Sequence, residues 1–406
     1  MNIILYKGQS QYNVLRFFID EMAAAFRKLG HNVTVIDLLE KDWPEKIKQA
    51  LVKFNDGCDF VFAFNGMGME INMDGRSLYD VINVPFVAAL VDHPCMHIKR
   101  LDTKMNNLIV TCVDRAHLNF LSSYYPEEHI KFKVFLPHGG SNHNFSKEEN
   151  SEEGFDEYLQ KRTIPLLFTG NFKKIEKTWS AFSPAMVSLL DDIVDCILGN
   201  ETIPLDKAYN YVLKQRGMEL EYEMSQKIYS AMFHHIDLYV QDYLRQVCVE
   251  TVAKAGIPLV LYGHNWDSWL KYKKYKSITY LDGSDYQHVL NELQKTKLFL
   301  NNATNFIAGS HERDFNAMLN GAICITQFNQ YYNEEFVDGK DIVLYKFKEI
   351  ESLPDKIAHL LEKPETAWQI AKAAKEKAEA KHTWFNRAER VLEIVQIYRD
   401  LKYLKS

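Results

Sequence analysis

Residues 298–345 read LFLNNATNFIAGSHERDFNAMLNGAICITQFNQYYNEEFVDGKDIVLY, and this stretch decides the fold. An apolar run, Leu298–Asn302, predicts a strand that ends in two asparagines. A polar loop with Gly309 and Ser310 then leads into a helix beginning near His311. That helix turns Phe315, Met318 and Leu319 to one side and stops at Asn320–Gly321, and Ile323–Thr326 predicts the next strand. Strand, loop, helix and strand in direct succession make a βαβ unit, the building block of a parallel sheet. A polar loop that feeds a helix N-terminus aims unpaired backbone N–H groups and the positive end of the dipole at an anion. Ser310, His311, Glu312 and Arg313 occupy that first turn. With Gly309 and the two asparagines at the preceding strand end, Asn301 and Asn302, they form a candidate diphosphate cradle, and Asn316 on the same helix is a further donor-site candidate. The plainer alternative makes Ser310 an N-cap and Arg313 a solvated helix residue.

The same alternation continues on both sides. Strands are predicted at Asn2–Tyr6, Val33–Asp37, Phe60–Phe64, Phe86–Val91, Leu108–Val113 and Lys131–Leu136, with a helix over Tyr12–Leu29 after the first. A second series runs through Ile164–Thr169, Pro258–Tyr262, Ser277–Leu281, Leu298–Asn302, Ile323–Thr326 and Asp341–Leu344. Short apolar strands separated by helices indicate parallel sheets covered on both faces. Residues 178–255 break the pattern: Leu189, Leu190, Ile193 and Ile197 fit one helical face, and Met224, Ile228, Met232, Ile236 and Val240 another. They read as a helical insertion. The polar, acidic stretch 146–154 reads as a loop or domain edge. The expected fold class is therefore α/β: two Rossmann-like domains, 1–160 and 161–383, with the insertion in the second and a closing helix at 384–406 that packs back on the first. Ligands in such sheets bind beyond the carboxyl ends of the strands. Dehydrogenases, two-domain binding proteins and glycosyltransferases all satisfy this pattern.

A chain of 406 residues exceeds what one core usually organises, which supports two domains. The net charge of −6, with no long basic run, argues against nucleic acid as a partner. Of the six cysteines most lie in apolar runs and none forms a Cys-x-x-Cys pair, as expected of buried thiols in a reducing compartment rather than a disulfide framework or zinc site. Neither a secretory leader nor an apolar stretch long enough to span a bilayer is evident, so a cytoplasmic location is expected.

The stretch GSHERDFNAMLNGAICITQF, followed by EEFVDGKDIVLY, resembles the donor-binding region of GT-B glycosyltransferases, and most closely that of the bacterial CgeB-like, spore-maturation family. His382-Thr383-Trp384-Phe385-Asn386-Arg387-Ala388 resembles that family's closing motif. The resemblance spans about residues 255–400; the N-terminal half shares only the architecture. It implies two facing Rossmann-like domains and transfer of a hexose or deoxyhexose from a UDP-, dTDP- or GDP-linked donor to a hydroxyl of a glycan or protein. It also implies that Gly263, His264, Asn265 and Trp266 edge the donor pocket, that Tyr280 lies near the nucleotide base, and that Gly170 and Asn171 lie under the diphosphate. The chain departs from many retaining members where they carry a pair of glutamates: Ala308 and Asn316 stand there. No carboxylate role carries over, and both stereochemical outcomes remain open.

Taken by themselves, Gly170–Asn171 and Gly263–Trp266 read equally well as plain turns, the second with an aromatic packed on the surface. In the N-terminal half, Gly8 and Gly66 follow strands and are candidates for the acceptor side. Asp92 and His93 end another strand, where a carboxylate or imidazole can accept a hydroxyl proton; the alternative is a turn capped by Asp92 before Pro94. No Asp-x-Asp sits at a strand end, so no metal is expected, and no cofactor; Arg313 and helix N–H groups would neutralise a leaving diphosphate instead. The competing reading is a non-catalytic ligand-binding protein, or an interaction protein that works through the helical insertion.

Overall fold

The computed structural model describes residues 1–54, 57–143, 154–269, 271–283, 285–303 and 306–404. The chain divides into two compact units, Met1–Gly139 with His382–Ser406, and Gly140–Lys381. The division falls at Gly139–Gly140, before the 160/161 boundary read from the sequence. Residues 146–153 of the acidic stretch lie outside the described residues.

The first unit is a parallel six-stranded sheet: β1 (Asn2–Lys7), β2 (Asn32–Asp37), β3 (Phe60–Phe64), β4 (Phe86–Leu90), β5 (Leu108–Cys112) and β6 (Phe132–Phe135), in the order β2-β1-β3-β4-β5-β6. Leu5 pairs with Val35 on one side and Phe62 on the other. Every residue of β3 (FVFAF) and β4 (FVAAL) is buried, as a strand sandwiched between two helical layers requires. The helix expected from Tyr12 begins at Val14, because Tyr12 and Asn13 take left-handed φ values of 54° and 58°, and the Ser10 hydroxyl accepts the Leu15 N–H at 2.9 Å. The closing helix, Trp384–Tyr403, starts from a capping box between Thr383 and Asn386. Its first residue packs an indole against Phe18 and Phe64, with ring centroids 4.4 and 5.3 Å apart. A Cβ on Gly139 would stand 2.8 Å from the Trp384 backbone, so only glycine admits this approach. A two-residue-stranded hairpin, Asn72–Met73 with Arg76–Ser77, also pairs in this unit and is not indicated by the hydrophobic pattern.

The second unit holds β7 (Ile164–Thr169), β8 (Leu259–Tyr262), β9 (Ile278–Leu281), β10 (Thr296–Leu300), β11 (Ile323–Gln327) and β12 (Val343–Tyr345), parallel and ordered β9-β8-β7-β10-β11-β12. β10 lies two residues earlier than the expected 298–302, so Asn301 and Asn302 stand just beyond its end. The insertion is three helices, Pro184–Gly199, Leu205–Gln215 and Tyr222–Lys254. The last has 33 residues, and its final turns bury Cys248, Val249 and Val252 in the same core as Phe168, Leu261 and Leu300. The insertion is thus anchored directly in the second sheet.

In each sheet the chain order reverses beside its first strand: between β1 and β3 in the first unit, and between β7 and β10 in the second. The carboxyl ends of strands at such a reversal splay their connections apart and leave a crevice, the general binding position of open α/β sheets.

Candidate functional site

At the reversal in the second sheet, β7 delivers Thr169, Gly170 and Asn171. Gly170 has φ +153°, and a Cβ there would stand 3.6 Å from both Arg245 Nε and Arg313 Nη1. Two guanidinium groups therefore flank one glycine. Arg313 donates from Nη1 to the Thr169 carbonyl at 2.7 Å, and from Nε (3.2 Å) and Nη2 (2.6 Å) to Nε2 of His311. An imidazole nitrogen that accepts from a guanidinium carries no proton, so the His311 proton sits on Nδ1, where Glu312 Oε2 lies 2.6 Å away. The Arg313 backbone N–H also approaches Nδ1, at 3.3 Å, and is the longer, competing contact. Glu312 orients His311 and His311 orients Arg313; among the described residues Arg313 has no carboxylate partner.

The loop that carries these residues is held from behind. Asn329 donates to the carbonyls of Phe306 and Gly309 at 3.0 Å each, and the His311 N–H donates to the Tyr332 hydroxyl at 2.8 Å. Tyr332 in turn donates to Asp314, which also accepts from Asn301 Nδ2 at 2.8 Å and from Cys324 and Thr326. Asp314 is fully buried, and burial raises its carboxyl above the usual range even against these donors. Ser310 is also fully buried. Asn316 is occupied elsewhere: its Oδ1 accepts the Ser141 N–H and its Nδ2 donates to Tyr286, both at 2.8 Å. That pairing fastens the start of the second unit to the helix Glu312–Leu319 and places the Asn316 amide away from Arg313's partners.

Several polar atoms near the ends of β7, β10 and β11 are buried without a hydrogen-bond partner among the described residues: Thr169 Oγ1, Asn301 Oδ1, both polar atoms of the Asn302 amide, Gln327 Oε1 and Arg245 Nε. Orphaned buried polar groups cost free energy, about 1–3 kcal/mol each, so their concentration at one sheet edge marks a place for a polar ligand or ordered water. Arg245, near the end of the long insertion helix, donates from Nη1 to the Asn171 carbonyl at 3.0 Å and to Asp242 at 3.2 Å. Burial, then the like charge of Arg313, lowers its pKa to about 10. The sequence offered no signal for Arg245, which lies within a helix of ordinary amphipathic composition.

The turn after β8 closes one side. Gly263, also at φ +153°, would place a Cβ 2.3 Å from the Gly170 carbonyl oxygen. His264 N–H donates to Asn171 Oδ1 at 2.9 Å, and the His264 ring contacts Asp282 at 2.6 Å, which also accepts from the Tyr280 hydroxyl at 2.9 Å. Asn265 takes φ 69°. Trp266 is not a surface aromatic: it is fully buried against Phe168 and Phe172 and donates its indole N–H to the Gly170 carbonyl.

In the first unit, the ends of β1, β3 and β4 come together. A Cβ on Gly8 would meet Met67 Sδ at 2.3 Å, and Asn65, Gly66 and Gly68 all take positive φ. Asn65 bridges two connections, accepting the Val91 N–H at 3.0 Å and donating to Asp92 Oδ2 at 2.9 Å. Arg100 donates to the Asn65 carbonyl at 3.3 Å. The Asp92 side chain is 54% exposed, and His97 Nε2 lies 3.6 Å from it. Desolvation raises the Asp92 carboxyl, but the His97 imidazole and the Asn65 amide outweigh it and hold it below the usual range. His93 differs. It is buried against His117 and Phe120, its Nδ1 accepts the Cys95 N–H at 3.2 Å, and burial, then the neighbouring histidines, keeps it neutral well below its ordinary pKa. Of the two residues singled out in sequence, Asp92 presents a carboxylate to solvent and His93 caps the following turn. His97, three residues beyond Pro94, is the partner that sequence reasoning missed.

None of the six cysteines is in a disulfide. Among the described residues, no helix is long and apolar enough to cross a membrane, and no three His, Cys, Asp or Glu side chains gather to hold a metal ion.

Residues 245–393 match the family model described as glycosyl transferase-like. No curated protein matches the chain by sequence. The solved structures it resembles include sucrose-phosphate synthase from Thermosynechococcus elongatus (13% identity, TM-score 0.53, covering 100% of this chain and 99% of that one). They also include Anabaena HepE in complex with UDP and glucose (11% identity, TM-score 0.51, 98% and 99% covered). At these identities the likeness is one of fold. Two parallel six-stranded sheets, each ordered about a reversal point, together with these neighbours give the chain the α/β, GT-B fold class.

Proposed function

We propose that the chain transfers a sugar from a nucleoside-diphosphate sugar to a hydroxyl acceptor. The observation that carries this reading is Arg313: a guanidinium oriented by His311 and Thr169 at the reversal point of the second sheet, with no carboxylate partner among the described residues. A cation held ready beside orphaned polar atoms suits an anionic donor. The glycosyl transferase-like match over residues 245–393 covers this same region. In the reaction, the bond from the sugar's anomeric carbon to the diphosphate oxygen breaks and the diphosphate leaves with the electron pair. The acceptor oxygen bonds to that carbon and gives up its proton. Arg313 offsets the charge that grows on the leaving diphosphate, an interaction that strengthens as the bond breaks.

Asp92 is our candidate to receive the acceptor proton, because it is the exposed carboxylate at the strand ends of the first unit. We infer that neutralisation by arginine makes a divalent metal unnecessary. The finer reading is a hexosyl- or deoxyhexosyltransferase of the CgeB-like group, acting in the cytoplasm on a glycan or protein. It draws on the 309–328, 334–345 and 382–388 motifs.

The test is release of nucleoside diphosphate from a panel of UDP-, dTDP- and GDP-sugars, with and without excess EDTA. UDP-glucose leads the panel because HepE, which shares this fold, is described in complex with it. Turnover of at least one donor, persisting in EDTA, is expected. Binding without turnover under any acceptor would replace this reading with that of a ligand-binding protein. Activity lost in EDTA and restored by Mg²⁺ or Mn²⁺ would overturn the account of the leaving group.

A further inference from the structure

Arg245 is the second guanidinium beside Gly170, and it comes from a different part of the chain. It stands on the 33-residue helix Tyr222–Lys254, whose earlier turns bury Ile228, Met232, Phe233 and Ile236 and whose last turns enter the core of the second sheet. Its side chain is 11% exposed. Nη1 donates to Asn171 O and to Asp242, while Nε points to no acceptor among the described residues.

A purely structural arginine at that depth is expected to satisfy its fork, because an unmet buried charged donor is costly. Its carboxylate partner does not neutralise the site either. Among the described residues Asp242 is the single negative group paired to Arg245 and Arg313 has no carboxylate of its own, so two guanidiniums face one carboxylate around Gly170. A glycine between them leaves room that any side chain would take. Two forked cations, Arg245 with an unmet Nε donor and Arg313 held by a carbonyl and an imidazole, match a ligand bearing two adjacent anionic groups, and arginine forks suit phosphate oxygens by geometry as well as charge.

We propose that Arg245 is a second ligand of the donor diphosphate, supplied by the helical insertion, so that the diphosphate is held between Arg245 and Arg313. This rests on the glycosyltransferase reading above. It gives the insertion a role in that reading: the helix that organises it also carries a phosphate-binding group, and donor binding is coupled to the packing of the insertion.

The experiment is calorimetric titration of the full chain with UDP, dTDP and GDP and with the matching nucleoside monophosphates. Wild type is compared with Arg245→Gln, Arg245→Lys and Asp242→Asn, each checked by circular dichroism and thermal melting. Arg245→Gln is expected to weaken diphosphate binding at least about tenfold and monophosphate binding by less, since a monophosphate brings less charge and fewer oxygens to the pair of arginines. Arg245→Lys keeps the charge but not the fork and is expected to fall between. Asp242→Asn releases Arg245 from its carboxylate and is expected to leave diphosphate binding equal or tighter, whereas an arginine whose only task is to staple Asp242 would make both variants weaker alike. If Arg245→Gln does not fold, Arg245→Lys and Asp242→Asn decide the matter by the same criteria. Wild type binding a diphosphate while folded Arg245 variants bind it equally well would overturn this inference and leave the glycosyltransferase reading standing. A folded wild type that binds none of the nucleotides would overturn both.

Discussion

Trp266 donates its indole N–H to the carbonyl oxygen of Gly170 at 2.6 Å. The same oxygen lies 2.3 Å from where a Cβ on Gly263 would stand. The two glycines that end β7 and β8 therefore pass in contact, and the tryptophan locks the peptide that lies between the two arginines. Gly263→Ala forces a side chain against backbone rather than against a yielding side-chain tip, at a φ of +153° that L-residues rarely adopt. We expect it to destabilise the protein by about 1–3 kcal/mol, as overpacking does, and to weaken nucleoside diphosphate binding. Denaturant unfolding and nucleotide titration measure the two effects. An alanine variant as stable as wild type would show that the Gly170–Gly263 contact is not tightly constrained.

Arg313→Ala should weaken use of the donor by about 2–5 kcal/mol, the range for truncating one partner of a buried charge pair. Folding should survive, since Arg313 is only part-buried and its protein partners are a carbonyl and an imidazole rather than a carboxylate. His311→Ala is the comparison: it removes the group that orients the guanidinium while leaving the charge, and a smaller loss is expected. Equal kcat/KM for wild type and Arg313→Ala would remove this arginine from the site.

The strands could be read from the sequence because Phe60–Phe64 and Phe86–Leu90 are buried on both faces, and burial on both faces demands a short, uninterrupted apolar run. Helix Glu312–Leu319 was equally plain, from the periodicity of Phe315, Met318 and Leu319 and the stop at Asn320–Gly321. Gly321 takes φ +76°, which a C-terminal glycine does without cost. The site was legible only where it lay in such motifs. Arg313 stands in one. Arg245 and His97 do not: each reaches the strand ends from a helix or turn whose local pattern describes only its own packing. Trp266 was open to a surface reading because four residues of turn say nothing about which core an indole enters. Asn316 sits in the motif but bonds to Ser141, 175 residues earlier, a pairing that no local spacing encodes.

Asp206 offers a test of the insertion itself. Its side chain is 1% exposed, Oδ2 has no hydrogen-bond partner among the described residues, and the nearest cation, Lys207 at 3.5 Å, is itself half exposed. Desolvation raises its carboxyl, against the smaller, opposing effects of Lys207 and of N–H groups at the start of helix Leu205–Gln215. The folded state thus binds a proton more tightly than the unfolded chain. Its contribution to stability is fully present below the unfolded carboxyl pKa of about 3.9 and is lost as pH rises through the higher folded value. Asp206→Asn should therefore raise the melting temperature at pH 7 and lose that advantage near pH 3. A variant less stable than wild type at pH 7 would mean that the helix N-terminus gains more from the charge than burial takes away.

The last expectation concerns Asp92 and the division of labour between the units. A hydroxyl acceptor is a weak nucleophile until its proton is removed, and assistance of that kind is worth about 10²–10⁴-fold. Asp92 is exposed, ionised and held by Asn65 and His97, whereas His93 is buried, neutral and engaged with Cys95. Asp92→Asn preserves the shape and the Asn65 contact while removing the basic carboxylate. It should bind nucleoside diphosphate normally and transfer sugar at least ~10²-fold more slowly. His93→Ala should cost stability, through the lost cap and ring packing, more than rate. His97→Ala removes a group that holds the Asp92 carboxyl down, so the acid limb of the rate profile should move to higher pH while the rate at pH 8 changes little. Rates at pH 4–8 for the three variants, beside melting temperatures, separate these outcomes. If Asp92→Asn transfers at the wild-type rate, proton removal does not pass through this carboxylate, and Asp92 with its two partners serves to shape the ends of β3 and β4.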